Sequence, residues 1–362
     1  MIEHYFNKID IEFNYNPDQL GYVVDFHLNK FPTLENAKIA IIGVHEDSNI
    51  VRSQLYEHSI GSQLKNQIVD LGNIAASDQN EILAALELVI SELKELNIIT
   101  IVLGLRMPYI NALGRGLKDH YKEIEISYVS PDLVGIKKEN DNHFFSLPDV
   151  AIKQIHCLAH QIHFVSPDVS LIIEKDQFSQ LRLGEIKNTI ENVELYLRES
   201  QLLLFDINAI KTSCAPGKIR VNPSGLNSDE ACQIARYAGM SDDISCFGLW
   251  GFEPSLDARD LTASMCAQIL WYYLDGITNR KNDKPNLHNE FVKYRCDFSE
   301  HNTPILFLKS KRTSRWWMKI EHPAEPENSD LAITIPCSYD DYMVAANGET
   351  PERYLNALKL LK

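Results

Sequence analysis

Four groups of side chains in this sequence have types and spacings that could do chemistry. His156, His160 and His163 stand four and three residues apart. On one helix face that spacing would gather imidazoles for a zinc ion. The surrounding residues read instead as a strand, Gln154 to Ala159, leaving toward a loop. At a rise of ~3.3 Å per residue, His156 and His160 would then share a face about 13 Å apart and His163 would face away. Partly buried histidines with no metal are the expectation. Asp206 closes the run Gln201 to Asp206, with Asn208 two residues on. A carboxylate there could act as a general base or a substrate-binding acid, or it could cap the following turn. Cys214 lies in Thr212 to Gly217, where a nucleophilic thiolate would need a neighbouring base or cation, and only Lys211 and Lys218 are near in sequence. Trp316 and Trp317 could form a partner-binding patch, although packing of the tail is the stronger expectation. The basic stretch Lys309 to Arg312 reads as a solvated turn rather than a contact for an acidic partner.

The elements that must position these residues alternate. Lys38 to Val44 is a short apolar run rich in β-branched residues, as in a strand covered on both faces. Ser77-Asp78 opens a helical pattern in which Ile82, Ala85, Leu86, Val89, Ile90, Leu93 and Leu96 recur at three- and four-residue steps, with Asn97 as its stop. Ile98 to Leu103, Ile124 to Val129, Gln154 to Ala159, Gln201 to Asp206 and Ile244 to Leu249 read as further strands, and Ser170 to Ile173 as a short one. Ile186 to Leu197 reads as a helix. Asn227-Ser228-Asp229-Glu230 is a capping box for a helix ended by Gly239, and Leu261 to Leu274 is an apolar helix stopped by Gly276. Such alternation builds βαβ units and a parallel sheet between helical layers, with ligands bound at the carboxyl ends of the strands. Residues up to about 36 and from Asn279 onward show weak periodicity; both read as segments packed on the central domain, the tail because it keeps Phe307, Trp316, Trp317 and Tyr342.

The bulk numbers exclude several classes. The chain has 362 residues, 44% of them hydrophobic, enough for a large core. Its net charge of −15 opposes binding to nucleic-acid phosphates or an anionic membrane surface. Seven widely spaced cysteines with no Cys-x-x-Cys predict reduced thiols in a cytoplasmic protein. The first residues hold no basic start followed by an apolar run, and no segment reaches the ~18 apolar residues of a membrane helix.

Four segments resemble the ureohydrolases, the family of arginase, agmatinase and formimidoylglutamase, and in particular its formimidoylglutamase-like bacterial branch. They are Ile41 to Val44 with Gly61 and Asp70-Leu71-Gly72-Asn73; Ile101 to Gly104 leading into Asn111 to Leu117; Leu204 to Ile210 running into Ala215-Pro216-Gly217 and Ser224-Gly225-Leu226; and Gly251 to Asp257 before the helix from Leu261. The third is the most specific. Arg315-Trp316-Trp317-Met318 is similar to the tail of a bacterial subgroup.

The resemblance implies a three-layer αβα arginase-like fold with a mostly parallel sheet. It divides the chain into an N-terminal segment 1–36, an α/β domain 37–280 and a C-terminal extension 281–362. It also implies two Mn²⁺ ions sharing a hydroxide that attacks a guanidinium or formimino carbon, held by four Asp and two His. Carried over position by position, the first His falls on Met107, the Asp-Ala-His-x-Asp ligands on Val129, Pro131 and Leu133, and the Asp-x-Asp pair on Asp206 and Asn208. The substrate-gripping acid of arginase-like members falls on Gly251, with Glu253 two residues on. Asp132 lies beside a ligand position, and a bulge would turn it inward. Arg106 would point at the place of the metals and could pair with Asp206.

The expectation is therefore a homologue that binds no manganese and needs no cofactor. It would serve as a non-catalytic binding or scaffold protein, with a small molecule, another protein or further copies of itself as partner, and no nucleic acid or membrane. The alternative is a hydrolase of C–N bonds in linear amidines, with a site rebuilt around Asp206, Asp132 or Glu253.

Overall fold

The computed structural model describes residues 2–11, 13–59, 64, 67–136, 150–175, 177–285, 290–297, 304–321 and 332–359. Gly61 lies outside them. The chain divides into two compact units, Met1–Asn279 and Arg280–Lys362.

The strands of the first unit are β1 (Phe6–Asn7), β2 (Val24–Phe26), β3 (Ile39–Gly43), β4 (Ile68–Ile74), β5 (Ile99–Leu105), β6 (Ile124–Val129), β7 (Ile152–Leu158), β8 (Phe178–Leu181), β9 (Leu202–Asp206) and β10 (Cys246–Trp250). They form one sheet in the order β1-β4-β3-β5-β10-β9-β6-β7-β8, with β2 also paired to β4. All pairings are parallel except β1 with β4. The helices are α1 (Ser48–Tyr56), α2 (Gln79–Glu95), α3 (Ile110–Leu117), α4 (Pro167–Ile173), α5 (Leu183–Asn188), α6 (Val193–Leu197), α7 (Ser228–Gly239) and α8 (Leu261–Thr278).

Alternate residues of each strand feed two separate cores, which makes the fold three-layered. Ile39, Ile41, Leu203 and Phe205 pack with α1, α7 and α8. Ala40, Ile42, Leu202 and Leu204 pack with α2, α3 and α4. This is why the central strands read as unbroken apolar runs: both faces are covered. No helix among the described residues is long and apolar enough to cross a membrane.

Several elements differ from the sequence reading, each for a local reason. Ser170 to Ile173 is the end of helix α4, not a strand. The Ser166 side chain accepts from the Val169 N–H and Pro167 sits at the first helical position, so the start is capped and pre-shaped. The helix expected over Ile186 to Leu197 is broken at Thr189 (φ −149°, ψ 83°), after Asn188, both poor helix formers. Strand β4 contains Asp70, Gly72 and Asn73, residues rare in strands, yet it is buried throughout. Its Gly72 has φ +93°, where the register with β3 shifts by one residue.

Gly276 does not stop α8, which runs to Thr278. It sits where α7 and α8 touch backbone to backbone. A methyl group on Gly239 would lie 2.1 Å from the Tyr273 carbonyl oxygen and 2.9 Å from the Gly276 Cα. Both glycines are therefore packing residues. Gly239→Ala should cost about 1–3 kcal/mol of stability through overpacking, read as a lower midpoint in urea unfolding; a midpoint equal to wild type would contradict this close approach.

The second unit is an antiparallel sheet of β11 (Phe291–Cys296), β12 (Ile305–Ser310), β13 (Trp316–Ile320) and β14 (Ile333–Cys337), followed by α9 (Tyr339–Ala346) and α10 (Glu352–Lys359). It has a core of its own, in which Phe307, Trp316 and Met318 are packed by Tyr294 and Tyr342. The Trp316 ring stacks on Tyr342 at 5.0 Å. Trp316 and Trp317 are thus buried rather than presented as a patch. In the stretch Lys309 to Arg312, Lys309 covers the Trp316 ring, Ser310 ends β12 in a hydrogen bond to Asp283, and Lys311 pairs with Glu290.

Candidate functional site

The carboxyl ends of β5, β10, β9, β6 and β7 lie side by side, and the loops leaving them carry the sequence-singled residues. Asp206 is the last residue of β9 and is buried. Its Oδ1 accepts from the backbone N–H and the side-chain amide of Asn208, both at 2.8 Å. Its Oδ2 accepts from Ser130 Oγ at 3.3 Å. Burial pushes the Asp206 carboxyl up to about 7; the hydrogen bonds from Asn208 and Ser130 oppose this and the charge of Asp132 adds to it. So Asp206 both caps a turn and holds a proton near neutrality.

Asp132 also turns inward. No bulge is needed: the chain passes the end of β6 and bends at Leu133, which adopts φ +54°. Asp132 Oδ1 accepts from Ser130 Oγ at 3.2 Å and from the Val134 N–H at 3.1 Å, and its Oδ2 lies 2.6 Å from Arg220 Nη2. The Arg220 N–H donates to Asn208 Oδ1 at 3.1 Å. A ring of contacts thus runs from Arg220 through Asp132, Ser130, Asp206 and Asn208 back to Arg220.

Lys218 lies below this ring. It is buried, and its ammonium donates to the carbonyl oxygens of Ile207, Asn208 and Ile210. Burial lowers its pKa to about 8, with the charges of Asp206 and Cys214 resisting. The Asn222 amide donates to the same Asn208 carbonyl at 3.1 Å. These two side chains pin the loop after β9.

The other positions do not converge on Asp206. Arg106 is 62% exposed and lies 3.6 Å from Asp47, not beside Asp206; the strand β10 stands between their strands, so a guanidinium at the end of β5 finds the nearer carboxylate first. Val129 and Leu133 are fully buried in opposite cores, Met107 is half-buried against the α2–α3 side, and Pro131 offers only its carbonyl, which accepts from the Gln161 N–H. Gly251 has φ +86°, and a Cβ there would lie 2.5 Å from Asp206 Oδ1. The Glu253 carboxylate accepts from Ser255 Oγ at 2.7 Å, within its own turn.

The histidines are separate. His156 is in β7, between Glu125 Oε2 at 3.2 Å and Ser179 Oγ at 2.5 Å. The strand ends at Leu158 and Ala159 is left-handed (φ 63°), so the regular alternation assumed for His160 and His163 stops. Burial pulls His160 down to about 4. His163 packs on Phe164. Among the described residues, no three His, Cys, Asp or Glu side chains gather where they could hold a metal ion.

This architecture has known relatives. A crystal structure of Trypanosoma cruzi formiminoglutamase with Mn²⁺ matches 69% of this chain and 96% of its own, at 17% identity and a TM-score of 0.60. The formimidoylglutamase of Bacillus subtilis matches 76% and 97%, at 14% identity and a TM-score of 0.61. At these identities the likeness is one of fold. The sequence adds its own likeness: the model of the arginase family matches residues 171–275, from α4 to α8. Over that stretch the chain is similar to the arginase family of ureohydrolases. Among curated relatives, the Bacillus subtilis formimidoylglutamase is 29% identical over 72 residues, 20% of this chain and 23% of that protein. An agmatinase of Chromobacterium violaceum is 27% identical over 175 residues, 48% of this chain and 43% of that protein. The chain thus matches less than half the length of either.

At this site, the side chains that the sequence reading passed over are Ser130, Phe164, Arg220 and Asn222. A signal for Arg220 was present: residues 207–226 contain Lys211, Lys218 and Arg220 and no acid, in a chain of net charge −15. Of the three, Arg220 alone meets a carboxylate, while Lys218 donates to backbone carbonyls. Ser130 and Phe164 had no such signal.

Proposed function

We infer that this ureohydrolase homologue lacks the dinuclear manganese site of its family and works as a non-catalytic binding or scaffold protein, with the strand ends around Asp206 as the place where a small molecule or a partner is received. The observation that carries this reading is the chemistry at the ends of β5, β6 and β9. Met107, Val129, Pro131 and Leu133 offer no carboxylate or imidazole. The two carboxylates that do meet are already engaged: Asp132 by Arg220 and Asp206 by Asn208. Arg220 and Lys218 balance their charge, so two divalent ions would add positive charge with no anion to meet it, which is costly away from water. These residues do not fit two manganese ions.

Purification from manganese-supplemented medium, followed by mass spectrometry of bound metal, tests the reading, together with assays of urea, ammonia and formamide release from arginine, agmatine and formimidoylglutamate. The expected result is far less than one manganese per chain and no turnover. Near-stoichiometric manganese with turnover abolished by Asp206→Ala would overturn it in favour of amidine hydrolysis.

A further inference from the structure

Arg220 sits between Ile219 and Val221, which are 81% and 72% exposed, while its own side chain is 38% exposed and its guanidinium turns toward Asp132. What draws the guanidinium in is specific. Its Nη2 lies 2.6 Å from Asp132 Oδ2, and its Cζ lies 4.8 Å from the centroid of the Phe164 ring. A carboxylate at the edge and an aromatic ring at the face are the two contacts that select a planar guanidinium over an ammonium. The carboxylate is itself fixed by Ser130 Oγ and the Val134 N–H. The backbone N–H of Arg220 holds Asn208, which holds Asp206.

We propose that Asp132 and Phe164 form a guanidinium clamp that Arg220 occupies from within the chain, latching residues 207–226 beside Asp206, so that a ligand with a guanidinium or amidinium head competes for the same place. The clamp uses none of the positions carried over as metal ligands. Its test reads guanidinium binding and amide exchange, not metal content, so its failure and the failure of the metal-free reading are told apart.

The test uses the full-length protein and methylguanidinium at low-millimolar concentration, against sodium chloride at equal ionic strength. Arg220→Ala empties the clamp. Methylguanidinium should raise the melting temperature of this variant by about 2–4 °C and leave wild type unchanged. Adding Asp132→Asn or Phe164→Leu should abolish the rise. If Arg220→Ala does not fold, Arg220→Lys keeps the charge but loses the planar stack. Hydrogen exchange of the amides in 207–226 should then be faster than in wild type, with the rest of the sheet unchanged. Equal effects of methylguanidinium and sodium chloride on Arg220→Ala, or wild-type exchange in Arg220→Lys, would overturn the clamp.

Discussion

Arg52→Met should lower the melting temperature by on the order of 10 °C, from a loss of about 3–5 kcal/mol. Arg52 and Asp70 are both fully buried, with no exposed side-chain surface. Arg52 Nε and Nη2 meet the two Asp70 oxygens at 2.7 and 3.0 Å, Nη2 also donates to the Gly72 carbonyl at 2.9 Å, and Nη1 to Asn73 Oδ1 at 2.6 Å. Tyr56 Oη donates to the same carboxylate. Removing the guanidinium strands a carboxylate in the core and frees Gly72 and Asn73, where β1, β3 and β4 join. Arg52→Lys should rescue little, because a point charge cannot span both oxygens and reach Asn73 as well. Arg52→Met with Asp70→Leu should recover much of the loss, since an apolar pair leaves no charge uncompensated. Thermal unfolding followed by circular dichroism measures all three, and an Arg52→Met melting point within about 2 °C of wild type would contradict this account.

Raising the pH from 5 to 8 should destabilise wild type by roughly 3 kcal/mol relative to Asp206→Asn. The folded Asp206 carboxyl titrates at about 7 against an ordinary value of 3.8. Between these values the folded protein holds a proton that the unfolded chain has released. Its contribution is complete below the unfolded pKa and is lost as pH climbs through 7. His160 acts with the opposite sign: lowered to about 4 from 6.5, it stays neutral in the fold while the unfolded chain takes up a proton, so stability rises with pH across that window. The two slopes offset each other in wild type. Comparison with Asp206→Asn isolates the carboxyl, because His160 is common to both. Lys218, lowered to about 8 from 10.5, begins to release its proton in the fold as the pH nears 8, which raises stability there in both proteins. Urea unfolding at pH 5 and pH 8 supplies the four free energies; parallel pH dependence in the two proteins would show that Asp206 is ionised throughout.

The central strands β3, β5, β6, β9 and β10 were legible because burial on both faces leaves few polar residues to blur the run. The helices α2 and α7 were legible because Asp78 and the Asn227–Glu230 box announce their starts. Strand β4 was hidden by Asp70, Gly72 and Asn73, whose cost to the strand is offset by Arg52 from α1, a contact at a distance of 18 residues that no local window contains. The tail's four strands were hidden for a related reason: pairing between neighbouring strands, not periodicity, organises them. At the site, Asp206 and Asn208 stood out because they close a strand with a polar pair. The inward turn of Asp132 depends on the left-handed Leu133, and the role of Arg220 depends on a loop folding back twelve residues after Asn208. Spacing along the chain carries neither.

The distribution of sulfur across the molecule offers a practical handle. Six of the seven thiols are buried, and only Cys214, on the segment that Lys218 and Asn222 pin, is partly open to solvent. A reactive thiolate must form before an alkylating reagent can attack, and burial suppresses that step at Cys157, Cys246 and Cys266. A maleimide-linked fluorophore applied to the native protein would therefore mark one residue without any engineering, and its emission would follow the motion of that segment in real time.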